Sequence, residues 1–130
     1  MTKKELSQVY YLDKEIKRDK ERLKELQAKA YKITQEMGGM PSSRKKSDKV
    51  GNYAVEIAEQ KSLIREKIKK CIYLQNRIIR YINSIEDSLI RQILTERYIE
   101  LKSWRQIAFI VGGGNTENSV RMIHNRFLEI

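Results

Sequence analysis

The sequence has one cysteine, one proline, one histidine and no long apolar run, and each scarcity excludes a class of protein. Cys71 alone permits neither an intramolecular disulfide nor a cysteine-based zinc site, and His124 has no second histidine with which to build a metal site. His124 is therefore predicted to be a surface or core-edge residue. No run of about 18 apolar residues is present, which excludes a membrane-spanning helix. The segment MTKKELSQ lacks the apolar core of a signal peptide, so a cytoplasmic protein is expected.

Composition favours helices. Hydrophobic residues make up 40% of the chain and charged residues 34%, with six glycines, which suits long, exposed helices better than a sheet. The net charge is +10, and all of it comes from residues 1–85, which carry 21 Lys/Arg against 11 Asp/Glu. A positive chain is drawn to polyanions such as nucleic acid. Solvated helix faces are the alternative explanation of this charge.

A heptad pattern predicts a first helix over about residues 3–37. Asp19 interrupts it, and the apolar positions are Val9, Leu12, Ile16, Leu23, Leu26, Ala30, Ile33 and Met37. A long helix with so narrow an apolar stripe needs another helix to pair with. Glycine and proline then break the pattern, and a flexible basic loop is predicted over residues 38–49.

A second long helix is predicted over about residues 50–83, with apolar residues every seven positions and a broader stripe than the first. Two helices of this kind predict an antiparallel helical hairpin (a coiled coil) over residues 1–84. The broader stripe leaves room for a further partner, which is either a second protomer, giving a homodimer, or the C-terminal domain.

Residues 85–130 are predicted to form a small three-helix domain, so the expected fold is all-α. Ser84 with Asp87 resembles a capping box that would begin a helix over about residues 85–100. Ser103 and Gln106 form another such pattern, so a helix should begin at Trp104, whose ring is expected in the small core. Three glycines from Gly112 should end that helix.

Thr116 is predicted to cap the last helix, on which Val120, Ile123 and Phe127 form an apolar stripe. Helix, glycine turn and helix are the layout of a helix-turn-helix, whose second helix lies in the DNA major groove. Val120 follows Gly112 by eight residues, so the turn is longer than the motif usually has. The side chains outside the stripe suit base edges, and they are Asn118, Ser119, Arg121, Met122 and Asn125.

The segment LIRQILTERYIELKSWRQIAFIVGGGNTENSVRMIHNRFL resembles region four of bacterial sigma factors, through Arg97-Tyr98-Ile99 and the residues 104–108 that follow a short link. The whole chain resembles small phage-encoded transcriptional regulators of the RinA/ArpU type, found in phages and prophages of Gram-positive bacteria. The likeness includes the charged first helix, the residues 47–52 after the loop, and GGGNT followed by Ser119-Val120-Arg121.

The resemblance implies activation of late phage genes in the bacterial host cell, by binding double-stranded promoter DNA and touching RNA polymerase. It also implies contacts to DNA phosphates from Ser103, Arg105, Thr116 and Arg126. Two alternatives stay open, which are a small terminase-like DNA-packaging subunit and a module that binds only polymerase. No catalytic residues, cofactor or metal are predicted, because no nucleophile with a base, paired carboxylates or phosphate loop is found.

Overall fold

The computed structural model describes residues 1–37 and 44–130, with side chains described for residues 1–36 and 49–130. In the described part the chain is all-α, as predicted, and no strand is present. The helices are α1 (Lys3–Leu6), α2 (Gln8–Met37), α3 (Arg44–Asn83), α4 (Ser88–Tyr98), α5 (Trp104–Val111) and α6 (Glu117–Leu128). None of these helices has a stretch apolar and long enough to cross a bilayer.

Two compact units are present. The first comprises Met1–Leu12 together with Cys71–Ile130, and the second comprises Asp13–Lys70. The predicted boundary after residue 84 falls inside the first unit. The two predicted domains, residues 1–84 and 85–130, therefore both contribute to that unit.

The first unit contains two buried apolar clusters. One joins residues of α1, α2, α3 and α4, and its buried members are Leu6, Val9, Ile78, Ile82, Leu94 and Tyr98. The heptad position predicted for Val9 explains its burial, because residues at this spacing share one helix face. The N-terminal helices thus pack against α4 and not only against α3.

The second cluster joins the last three helices. Its buried members are Ile93, Ile107, Ala108 and Val120, and Trp104 is partly buried against it. The predicted core role of Trp104 is therefore confirmed. Ile93 lies in this cluster and its neighbour Leu94 in the first, so α4 packs on both sides.

The second unit pairs side chains of α2 with side chains of α3. Lys67 Nζ lies 2.6 Å from Asp19 Oδ2 and 3.4 Å from Glu15 Oε2. Gln60 Nε2 donates a hydrogen bond of 2.9 Å to the Asp19 carbonyl. Asp19 interrupts the heptad, and these partners on α3 explain how a carboxylate is accommodated there. The Asp19 hydrogen bond is also the largest cause that raises the pKa of Lys67.

The second long helix begins earlier than the sequence pattern predicts. Because α3 starts at Arg44, residues 44–49 are helical, and the prediction of a loop there is wrong. Arg and Lys are good helix formers and no glycine or proline lies between residues 44 and 50, so nothing stops the helix from extending. The rest of the predicted loop, residues 38–43, lies outside the described residues.

The start of α4 also differs from the prediction. Asp87, and not Ser84, is the N-cap, because its side chain accepts a hydrogen bond of 3.1 Å from the Ile90 backbone N–H. Ser84 Oγ instead donates to the Tyr81 carbonyl at 2.6 Å. A serine within reach of the end of the preceding helix bonds that helix's carbonyl, which leaves the cap of the next helix to Asp87.

Candidate nucleic-acid interface

The first helix of the candidate motif begins where its capping pattern predicts. The Gln106 backbone N–H donates to Ser103 Oγ at 3.2 Å, and the Ser103 N–H donates to Gln106 Oε1 at 2.9 Å. These reciprocal bonds satisfy backbone donors at the start of α5. Ile107 and Ala108 then turn into the core, with Ile107 fully buried.

The glycine turn ends α5 through three successive left-handed residues. Gly112, Gly113 and Gly114 have φ values of +59°, +64° and +79°. Side chains other than glycine rarely adopt this conformation. Asn115 Nδ2 then donates to the Gly112 carbonyl at 2.9 Å, which holds the turn together. The chain leaves the turn at Thr116.

The second helix of the candidate motif has the predicted N-cap. Thr116 Oγ1 accepts from the Ser119 backbone N–H at 3.1 Å, and Ser119 Oγ accepts from the Thr116 N–H at 2.8 Å. Ser119 therefore completes a capping box, a role that the sequence pattern did not predict for it. Its hydroxyl also contacts Asn115 Oδ1 at 3.2 Å.

Opposite faces of α6 differ in burial and chemistry. Val120 and His124 are buried on one face. At about 100° per residue, Asn118, Met122 and Asn125 project from the face opposite Val120. Asn118, Arg121 and Met122 are exposed, whereas Ser119 and Asn125 are half-buried. Of the five residues predicted to meet bases, Asn118, Arg121 and Met122 are thus exposed, whereas the prediction for Ser119 is not supported, because its hydroxyl is engaged in the cap of α6.

Two of these outward side chains already have partners. Arg121 Nη2 lies 2.9 Å from Glu117 Oε1, and both side chains are about half exposed. Exposed ion pairs of this kind contribute little to stability, so the guanidinium can exchange its partner. Asn125 Oδ1 lies 2.8 Å from His124 Nδ1. The amide oxygen of Asn125 therefore already has a hydrogen-bond partner, and only its amide nitrogen is left to contact a base.

The residues expected at DNA phosphates lie at helix starts or on exposed surface. Ser103 and Thr116 are the N-caps of α5 and α6. Arg105 and Arg126 are exposed, and within the described chain neither forms an ion pair. Both cations are therefore available to an external anion.

His124 is a buried core residue, so the prediction of a surface or core-edge position is wrong. Its side chain is 1% exposed, and its Nε2 lies 2.5 Å from the Tyr98 hydroxyl. Burial lowers the pKa of His124, with smaller contributions in the same direction from Lys3 and Arg97 and an opposing one from the Asn125 hydrogen bond. The spacing of four residues from Val120 is the sequence signal that places it on the buried face.

Arg97, Trp104 and His124 pack together on the inner side of the candidate motif. The Arg97 guanidinium lies 4.3 Å from the centre of the Trp104 ring, and the Trp104 ring meets His124 edge-on at 4.7 Å. Burial raises the pKa of Tyr98 to about 12, although Arg97 opposes the shift. These contacts connect α4, α5 and α6 beneath the outward face of α6.

In comparisons with protein-family models, curated proteins and solved structures, none matches the chain.

Proposed function

We propose that α5, the glycine turn and α6 form a helix-turn-helix, and that α6 enters the major groove of DNA to read sequence. The observation that carries this proposal is the division of α6 into a buried face at Val120 and His124 and an exposed polar face at Asn118 and Arg121. A helix held on one side and presented on the other is what groove reading requires.

The outward side chains match what base edges offer in the major groove. Arginine pairs with guanine O6 and N7, asparagine pairs with adenine N6 and N7, and an apolar side chain contacts the thymine methyl group. Arg121, Asn118 and Met122 supply one of each. Asn125 is a weaker candidate for two-bond pairing, because its amide oxygen bonds His124.

Contacts to phosphates would hold α6 in register without specifying sequence. Arg105 and Arg126 are exposed cations near the two helices, and Ser103 and Thr116 lie at their starts. The net charge of +10 adds the general attraction to DNA that precedes specific binding.

We propose further that α2 and α3 form an antiparallel hairpin and that this hairpin pairs two copies of the chain. The hairpin is supported within residues 13–70, where Asp19 of α2 meets Gln60 and Lys67 of α3. Leu26 and Ile33, further along α2, line a cavity with Asn52 and Tyr53, which come earlier on α3. The order of contacts therefore runs in opposite directions along the two helices.

The sequence resembles RinA/ArpU-type regulators, and this resemblance supports a role in the regulation of phage genes. We propose that the chain regulates transcription of phage or prophage late genes by binding their promoters. RNA polymerase is the second partner in this proposal. The chain's own contribution is the recognition surface on α6 and the cations that accompany it.

Selection of duplexes from a random oligonucleotide pool tests the proposal. Binding by the full chain should enrich a short motif containing guanine, and the Asn118→Ala variant should lose enrichment at one position of it. Two half-sites about one helical turn apart, or a multiple of it, would support a dimer. A pool that stays random while binding is retained would contradict sequence-specific reading.

A further inference from the structure

A groove of about 410 Å³ lies between the N-terminal helices and the link from α4 to α5. Every residue that lines it belongs to the first compact unit. We call it the Lys3–Lys102 groove. Its lining includes side chains with positive charges or hydroxyl groups, among them Lys3, Ser7, Tyr11, Arg97, Lys102 and Ser103. Only Ser103 among them belongs to the proposed DNA contacts.

The charge of the groove has one sign. Three of its lining residues are cations and none is acidic. Within the described chain, Lys3, Arg97 and Lys102 form no ion pair with a carboxylate. Lys67 is different, because Asp19 and Glu15 neutralise it. Like charges gathered without counter-charges repel one another, so an anion bound here would relieve that repulsion.

One of the cations is held in place before any ligand arrives. Arg97 Nη1 donates to the Lys102 carbonyl at 3.1 Å, and the guanidinium lies over the Trp104 ring. A guanidinium fixed in this way presents its remaining N–H groups at low entropic cost. The fixed Arg97 therefore provides a rigid donor in the same lining as Lys3.

One residue of the groove lining, Leu101, has a strained backbone conformation. Leu101 has a φ of +58°, a conformation that is costly for a residue with a Cβ. The Leu101 side chain packs against the first apolar cluster, while the next two residues, Lys102 and Ser103, line the groove. Leu101, which is partly buried, lines the groove together with these two polar residues.

We propose that the Lys3–Lys102 groove binds a phosphate ester. A fixed guanidinium, two ammonium groups and nearby hydroxyl groups are donors suited to phosphate oxygens. The exposed ring of Tyr11, which meets Tyr10 edge-on at 5.4 Å, offers a surface for a sugar or base. The ester is either a backbone phosphate of bound DNA, a source that rests on the proposed function, or a free nucleotide.

A pair of matched double variants tests the groove in the full chain. Lys3→Gln with Lys102→Gln removes two lining cations, whereas Lys4→Gln with Lys20→Gln removes the same charge from exposed positions outside the lining. In the first arm, the affinity for a selected duplex is measured across salt concentrations. The groove variant should bind about tenfold more weakly, and the log–log slope of its salt dependence should be shallower by about 0.9 for each phosphate that it no longer neutralises. The affinity of the control should change less than twofold.

The second arm uses no DNA. Thymidine 5′-monophosphate is titrated into the isotope-labelled chain, and the backbone amide signals of Lys102 and Ser103 are followed by NMR. Saturable shifts in the wild type and control, abolished in the groove variant, show that the groove takes a free nucleotide. Weaker binding by the groove variant in the DNA arm alone assigns the site to the DNA backbone. Either result supports the groove.

The two arms separate this proposal from the function proposed above. If the chain binds no duplex but the nucleotide saturates the groove, the DNA-binding function fails and the groove stands. If the chain binds its selected duplex, both double variants bind it equally and the nucleotide causes no shifts, the groove proposal is overturned and the DNA-binding function stands. Absence of both duplex and nucleotide binding overturns both proposals.

Discussion

The Tyr98 hydroxyl on α4 meets His124 Nε2 on α6 at 2.5 Å, inside the protein. Because an amide oxygen can only accept, the contact between His124 Nδ1 and Asn125 Oδ1 requires the proton on Nδ1. Nε2 is then free to accept the Tyr98 proton. A chain of two hydrogen bonds therefore runs from α4 through His124 to Asn125, at the edge of the outward face of α6.

Removing the Tyr98 hydroxyl should destabilise the fold. Tyr98→Phe leaves His124 Nε2 buried without a partner, which costs about 1–3 kcal/mol. Tyr73→Phe is the control, because Tyr73 is 62% exposed. Urea unfolding followed by circular dichroism should show a lower midpoint for Tyr98→Phe and an unchanged one for Tyr73→Phe. Equal midpoints would contradict a stabilising Tyr98–His124 bond.

The buried histidine should make stability depend on pH. The pKa of His124 in the folded chain is lowered, first by burial, so the unfolded chain takes up its proton at a higher pH, near 6.5. The free energy of unfolding should therefore be constant above pH 6.5, as far as this group is concerned, and should fall as the pH drops towards the folded pKa.

The single histidine makes this pKa directly measurable by NMR, because the chain has one imidazole to observe. The Lys3→Gln variant should raise the pKa of His124, since the charge of Lys3 helps to lower it. The control Lys4→Gln removes a neighbouring charge and should change the pKa of His124 less than Lys3→Gln does. An imidazole that titrates at or above pH 6.5 in the wild type would be inconsistent with its burial.

Two glycine substitutions should have opposite effects. Gly112 has φ +59° and ψ −142°, a region that is essentially restricted to glycine, so Gly112→Ala should cost about 1–3 kcal/mol of the free energy of unfolding. Gly51 lies within α3 with no atom near an added Cβ. Gly51→Ala should therefore stabilise by about 0.5–1 kcal/mol. Thermal unfolding of both variants checks the pair, and a lower stability of Gly51→Ala would contradict the prediction.

The carboxylate that interrupts the heptad should stabilise the second unit through Lys67. Asp19→Asn removes the charge 2.6 Å from Lys67 Nζ and should cost about 1 kcal/mol. Asp13→Asn is the matched control, because Asp13 pairs with Lys17 only along one helix, and it should cost less than about 0.5 kcal/mol. Urea unfolding at low salt measures the difference, which high salt should reduce. If the two variants are equally stable, the contact between α2 and α3 is not stabilising.

Features set by neighbouring residues could be predicted from the sequence. The caps at Ser103 and Thr116 and the glycine stop at Gly112 depend on bonds within a few residues, and the structure shows all three. Heptad spacing likewise predicted burial for Val9 and Ile16. The predicted capping box of Ser84 with Asp87 was wrong, because Ser84 bonds the Tyr81 carbonyl of the preceding helix and Asp87 is itself the cap.

Features set by distant residues could not be predicted. Periodicity shows that one face of α2 is buried, but it does not show that Val9 shares a cluster with Leu94. The hydrogen bond between His124 and Tyr98 joins residues that lie 26 positions apart. The Lys3–Lys102 groove depends on bringing the first residues of the chain beside the link before α5. Each of these requires the tertiary structure.

Reading of DNA by the outward face of α6 is tested most directly with Arg121→Ala. Its affinity should be compared for the selected duplex and for a scrambled duplex of the same length, with Arg65→Ala, an exposed cation on α3, as the control for charge. Arg121→Ala should weaken binding to the selected duplex by about 1–3 kcal/mol and spare the scrambled one, whereas Arg65→Ala should affect both alike. Equal weakening of both duplexes by Arg121→Ala would contradict base reading by α6.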